Sequence, residues 1–396
     1  MRITPAIELE YRLKRLQELM IPAGIDAVLI VQNADLFYFT GSIQNGCLYV
    51  PVSGQPLYMV RRDLGRARME SGLPEIVPFR TPKDIPGILS TYRYPAPAVL
   101  GLEYDVLPII FMERYRQVWP QARFADAAPL IRQVRMIKSH YEIHLLQDAA
   151  DQVNAVYERA KEIIKPGMTD YQLATELEYT ARQNGHVGAI RMRVFNGEMS
   201  FGHVFSGTDS AVPAYTDTPF GGLGPSPAFG QGASHKTISR HEPIIVDFSG
   251  YIDGYLVDQT RVFSIGALPE HLHHGFDAMV AVQEHMKQTI KVGMSWSELY
   301  RDCLNVATEL GYHDHFMGAP GAQVAFIGHG LGIEIDEYPY IAKGFDTHCF
   351  EVGMAFAFEP KVVYPGSGAV GIENTFYISH DGLKQLTRPV DDLVVL

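Results

Sequence analysis

The stretch VDFSGYIDGYLVDQTRVF, residues 246–263, reads as two apolar strands around a tight turn at Ile252–Gly254. Asp247 and Asp258 fall on opposite arms of that hairpin, where both side chains can share one face of a sheet. A later stretch, AFAFEPKVVYPGSGAVGIENTFYI (355–378), is another strand pair and carries Glu359 and Glu373. Equivalent acids in the two stretches lie 112 and 115 residues apart.

Those offsets belong to a larger internal repeat. KPGMTDYQL (165–173) recurs as KVGMSWSEL (291–299). In each copy one helix ends at the glycine, and capping-box spacing opens the next, through Thr169 with Gln172 and Ser295 with Glu298. A glycine follows 16 residues after each cap, Gly185 and Gly311. The chain from 135 onward is therefore expected to hold two copies of a helix–helix–sheet unit related by a pseudo-twofold. Across that axis Asp247, Asp258, Glu359 and Glu373 would converge. Four buried carboxylates repel one another and resist desolvation, and two divalent cations answer both problems. IGHGLGIEIDEYP (327–339) adds one imidazole, His329, between two glycines. A donor set of oxygens with one nitrogen suits Mn, Co, Zn or Fe.

These motifs resemble the pita-bread metallopeptidases: the methionine aminopeptidases, Xaa-Pro aminopeptidases and prolidases. The first hairpin has that family's eleven-residue gap between acids and its Asp-x-Thr-Arg ending, GHGLG is similar to its histidine strand, and FEP and GIENT are similar to its glutamate strands. The resemblance covers about 135–396. LFYFTGSIQNG (36–46) and the alternating α/β pattern before 134 are similar to the N-terminal domain of the prolidase and creatinase branch. It implies an α+β chain: an N-terminal α/β domain over 1–134, then a duplicated pita-bread domain over 135–396. It further implies that Asp247 binds one metal, that His329 and Glu359 bind the other, that Asp258 and Glu373 bridge both, and that Glu359 is the general base. The implied activity is hydrolysis of a small peptide or peptide-like amide by metal-activated water, with a homodimeric assembly.

Three departures bear on the substrate. Where the family has a histidine seven residues after the metal histidine, this chain has Asp336. A second family histidine, about 17 residues before the first metal Asp, falls at Gly230 or Gln231, and an Arg two residues before the last Glu is replaced by Gly371. Asp336 is thus a candidate catalytic or substrate-holding acid. The Gly/Pro-rich stretch 191–236 is expected to be a long functional loop. Its His203, Tyr215, Asp217 and His235 are candidate substrate contacts, and Arg191 and Arg193 candidate stand-ins for the lost Arg. A non-peptidase on the same scaffold, either a small-molecule C–N hydrolase or a metal-assisted lyase, is the alternative. A binding module that has lost catalysis is a third reading, opposed by five filled ligand positions.

Composition bounds the rest. The 396 residues are 46% hydrophobic and 20% charged, enough for a large core. A net charge of −12 disfavours nucleic acid or an anionic membrane as partner. Cys47, Cys303 and Cys349 are far apart and odd in number, as expected of reduced thiols in the cytoplasm. The first residues read as a charged amphipathic helix rather than a signal peptide, and no apolar run reaches membrane-spanning length. The histidines of HLHHG (271–275) read as a helix surface.

Overall fold

The computed structural model describes residues 2–388 and 390–396. The chain divides into two compact units. One runs to Arg135 and also takes Arg193–Gly197; the other holds Met136–Met192 and the chain from Glu198 onward.

The first unit opens with α1 (Ala6–Ala23), whose buried Leu9, Leu13, Leu16 and Met20 form one helical stripe. Then come β1 (Ala27–Ile30), α2 (Asn33–Thr40), β2 (Gly46–Pro51), β3 (Leu57–Val60), α3 (Leu64–Glu70), β4 (Ile76–Pro78), α4 (Ile85–Thr91), β5 (Val99–Leu102), α5 (Ile109–Val118), β6 (Arg123–Asp126) and α6 (Ala128–Met136). The strands form one mixed sheet in the order β4-β3-β2-β1-β5-β6. β2 and β3 form an antiparallel hairpin across Ser53–Gly54, with Tyr49 opposite Leu57. Asp35 is buried between two guanidinium groups, Arg135 at 2.6 Å and Arg193 at 2.7 Å. Arg193 also pairs with Asp105 at 2.7 Å. It is consumed in this ion-pair cluster, which corrects its reading as a stand-in for the missing substrate Arg.

The second unit begins with α7 (His140–Ile163), opened by a full capping box between Ser139 and Glu142, and α8 (Asp170–Gln183), opened by Thr169 and Gln172. The 191–236 stretch is not all loop: β7 (Gly202–Ser206) pairs along β8 (Ile244–Ile252), which turns into β9 (Tyr255–Ser264). Flanking glycines and prolines hide this five-residue strand from a pattern reading. The second copy supplies α9 (Glu270–Thr289) and α10 (Trp296–Glu309), then β10 (Phe326–Leu331), β11 (Ile335–Ala342), β12 (Ala355–Phe358), β13 (Lys361–Tyr364), β14 (Gly368–Gly371), β15 (Asn374–Ser379), β16 (Gly382–Gln385) and β17 (Val394–Val395). The sheets run β17-β9-β8-β7 and β11-β10-β12-β15-β16, with β13–β14 a separate ribbon.

The duplication is written in the hydrogen bonds. The Gly167 N–H donates to Ile238 and the Ile238 N–H to Met168, while the Gly293 N–H donates to Phe350 and the Phe350 N–H to Met294. Thr169 bridges Thr237 and Ser295 bridges Cys349 in the same way. One detail differs from the sequence expectation. Ser295 accepts from the Glu298 N–H at 3.0 Å, but the reciprocal half of the box is not formed. The exposed Glu298 instead lies in the field of Arg301 one turn on. Among the described residues no helix is long and apolar enough to cross a membrane.

Candidate metal centre

The β8–β9 turn places Asp253 at φ 47° and Gly254 at φ 92°, the paired left-handed geometry that a two-residue hairpin needs. That turn fixes the register, with Asp247 opposite Thr260 and Ser249 opposite Asp258. Asp247 and Asp258 are therefore diagonal neighbours on one face. In the second copy Phe358 pairs with Asn374, so Glu359 and Glu373 sit side by side where β12 and β15 give way to the β13–β14 ribbon. The copies meet through Thr260 and Glu373. Their backbones bridge, and the Thr260 hydroxyl donates to Glu373 Oε2 at 2.7 Å. β10 pairs with β12 so that Gly328 faces Phe358, which sets His329 diagonal to Glu359.

Asp258, His329 and Glu373 each offer a ligand atom, and the three atoms lie within 4.8 Å of one another. All three side chains are buried. His329 Nε2 is 3.7 Å from Glu359 Oε1 and 3.9 Å from Glu373 Oε1. Its Nδ1 points the other way, 3.2 Å from the Gly330 carbonyl and 3.5 Å from Asp336 Oδ1. Proton on Nδ1 and lone pair on Nε2 is the tautomer a metal needs, so oxygens plus one oriented nitrogen fit a divalent cation. Asp336 adopts φ 64° at a β10–β11 irregularity, and its side chain is 41% exposed. Its carbonyl also accepts from the Tyr340 hydroxyl. The next residue, Glu337, makes a buried pair with Lys138 at 2.9 Å.

Lys361 was not foreseen. Its Nζ donates to Glu359 Oε2 at 2.6 Å and to Glu373 Oε2 at 3.0 Å, and the residue is 1% exposed. The Phe220 ring, from the 191–236 stretch, lies 4.6 Å from the ammonium, within cation–π range. The sequence signal was a lysine inside the apolar run FEPKVVY, where a buried charge needs a partner.

Electrostatics follow from burial and from that ammonium. Burial pushes Asp247 up to about 7, with Lys361 opposing and Glu373 and Glu359 adding to the rise. Asp258 is driven well above the carboxylate range by burial, then by Glu373 and Asp247. Glu359 is also raised by burial, against Lys361. Glu373 is equally buried, but Lys361, His329 and the Thr260 hydroxyl outweigh burial and hold it below the usual range. Burial works against the Lys361 ammonium, yet Glu359, Glu373 and Asp247 more than offset it.

The candidate substrate residues separate. His203 stands opposite Asp247 on β7; burial and then Lys361 depress it to about 4. Its Nε2 and both side-chain polar atoms of Gln231 are buried with no hydrogen-bond partner among the described residues. Gly232 packs on the His203 ring, where a Cβ would stand 3.0 Å from His203 Cδ2. Tyr215, Asp217 and His235 are exposed. The Tyr215 hydroxyl donates to the Glu198 carbonyl, and His235 lies 5.2 Å from the Tyr171 ring on α8. None of these three bonds to the acid cluster among the described residues. The local turns of an irregular segment, rather than its composition, decide which side chains face inward. The 271–274 histidines lie on α9, with His273 3.8 Å from Asp277.

Comparison with known proteins agrees with this geometry. The family model described as metallopeptidase family M24 matches residues 144–380, and the creatinase/prolidase N-terminal domain model matches 12–137. The chain is 27% identical over 385 residues to an Xaa-Pro dipeptidase of Pyrococcus furiosus, covering 97% of this chain and 99% of that one. Among solved structures, an Xaa-Pro dipeptidase from Bacillus anthracis superposes with a TM-score of 0.83 at 24% identity, covering 98% of this chain and all of that one. The prolidase from Pyrococcus horikoshii gives 0.81 at 24% identity, over 97% and 100%.

Proposed function

The chain belongs to metallopeptidase family M24, and on that premise we propose that it hydrolyses a small peptide or peptide-like amide, with an Xaa-Pro dipeptide as the first substrate to try. The observation that carries this reading is the convergence of buried Asp258 on β9, His329 on β10 and Glu373 just before β15. Mn, Co, Zn and Fe all suit the donors. When bound, a divalent ion polarises the scissile carbonyl and makes water a nucleophile near neutral pH.

The chain's own groups would do the rest. Glu359 keeps Oε1 on the His329 side while Oε2 is held by Lys361, a geometry in which one oxygen can take a proton as general base. Asp336 beside Nδ1 would hold the His329 ring, a positioning role. His203 Nε2 and the Gln231 amide would meet the substrate's polar groups, since buried polar atoms without partners are costly unless a ligand satisfies them. A non-peptide C–N substrate is the second reading, favoured by Gln231 and Gly371 where the family's substrate groups stand. A cytoplasmic homodimer completes the proposal; two buried free thiols support the reducing compartment.

The test is a panel of Xaa-Pro dipeptides, non-Pro dipeptides and small cyclic and linear amides, run with each metal. Turnover of dipeptides supports the peptidase reading. Turnover confined to non-peptide amides replaces it with the second.

A further inference from the structure

Glu359 and Glu373 are each divided in the same manner. Their Oε1 atoms face His329 Nε2, and their Oε2 atoms converge on Lys361 Nζ at 2.6 and 3.0 Å. The ammonium therefore stands where carboxylates shared between two cations would hold the second one. It is built in. Phe220 covers it, and its stem occupies the space across the β13–β14 ribbon, where Lys361 pairs with Gly371. A Cβ on Gly371 would fall 2.5 Å from the Pro360 carbonyl oxygen and 2.8 Å from Lys361 Cα and Cγ, so the facing backbone itself requires glycine there.

We propose that Lys361 is a tethered cation replacing the second metal ion, so that each chain binds one divalent ion, at Asp258, His329 and Glu373. The two-ion expectation assumed four carboxylates with no internal counter-charge. Here one positive charge is already present, and the two Oε2 atoms that would complete a second coordination sphere are donated to. The inference rests on the metal reading of Asp258, His329 and Glu373, and not on any substrate.

The experiment is metal counting. Metal-stripped chain is equilibrated with Mn(II), freed of excess, and measured by elemental analysis and electron paramagnetic resonance. The wild type should hold one Mn per chain with an uncoupled six-line spectrum. Lys361→Ala, checked for folding by circular dichroism, should rise toward two with an exchange-coupled spectrum. Two ions in the wild type would overturn the inference and leave the metal reading standing; no bound ion would overturn both. A folded Lys361→Ala that stays at one ion would also overturn it. If that variant fails to fold, the wild-type count decides alone.

Discussion

The two copies of the repeat are unequal. In the first, Asp247 and Asp258 are joined by a two-residue turn, and the hairpin's own cation, Arg261, donates to the Thr260 and Glu373 carbonyls. In the second, a ribbon of two short strands is inserted between Glu359 and Glu373, and its first residue is Lys361. The consequence is electrostatic. Both aspartates are pushed upward, and Glu359 is raised by burial despite the ammonium, while Glu373 alone is held down by it and its neighbours. One copy thus needs an external cation, and the other supplies part of its own. A duplicated scaffold can diverge in charge while its backbone hydrogen bonds stay superposable.

Substitutions confined to one copy test this asymmetry. The largest effect is expected from Glu359→Gln, which removes the candidate base while keeping an acceptor for Lys361. On whichever substrate the wild type turns over, kcat should fall by about 10²–10⁴-fold, measured at saturating metal. A loss below tenfold would remove Glu359 from the chemistry.

Acid sensitivity should reside in the first copy. His186, the residue after Gly185, corresponds to Tyr312 after Gly311. It is buried, stacks on Phe201 at 4.4 Å, and its Nδ1 accepts from the Gly188 N–H. Burial, then Arg182, lowers it to about 4. A folded-state value below the unfolded one favours the neutral ring in the folded chain. Its contribution is fully present above about pH 6.5 and is lost as pH falls through about 4. The full span is about 3 kcal/mol. His186→Tyr should flatten that part of the urea-melt profile between pH 7 and 4.5, and an unchanged pH slope would contradict the assignment.

Asp336→Asn should weaken metal affinity or turnover by about 10–100-fold, the usual effect of losing a partner to a ligating imidazole. Calorimetric metal titration reads it, and an unaltered affinity with altered KM would make Asp336 a substrate contact instead. The smallest effect distinguishes the caps. Gln172→Ala removes a bond that Glu298→Ala does not, so it should destabilise by about half a kcal/mol more. Equal melting temperatures would erase that difference between the copies.

The elements legible in the sequence were those with local signals. Alternating strands around Asp253–Gly254, the repeated glycines and caps, and a histidine between glycines all announce themselves within a dozen residues. Lys361 did not, because its meaning depends on Gly371 across a ribbon and on Phe220, 141 residues earlier. Strand β7 was masked by its glycine-rich surroundings, and only pairing with β8 puts His203 opposite Asp247. Arg193 looked available for substrate until Asp35 and Asp105 were seen to hold it. Long-range partners decide such residues, and a linear pattern does not display them.

The converged acids and His329 should hold a divalent ion that the chemistry requires. The most direct measurement follows dipeptide turnover in chain stripped of metal, then reloaded with Mn or Co, beside Asp258→Asn treated identically. Stripped chain should show no turnover and recover on reloading, and Asp258→Asn should show neither recovery nor stoichiometric metal. Full turnover in the stripped chain, or undiminished metal binding in Asp258→Asn, would contradict it.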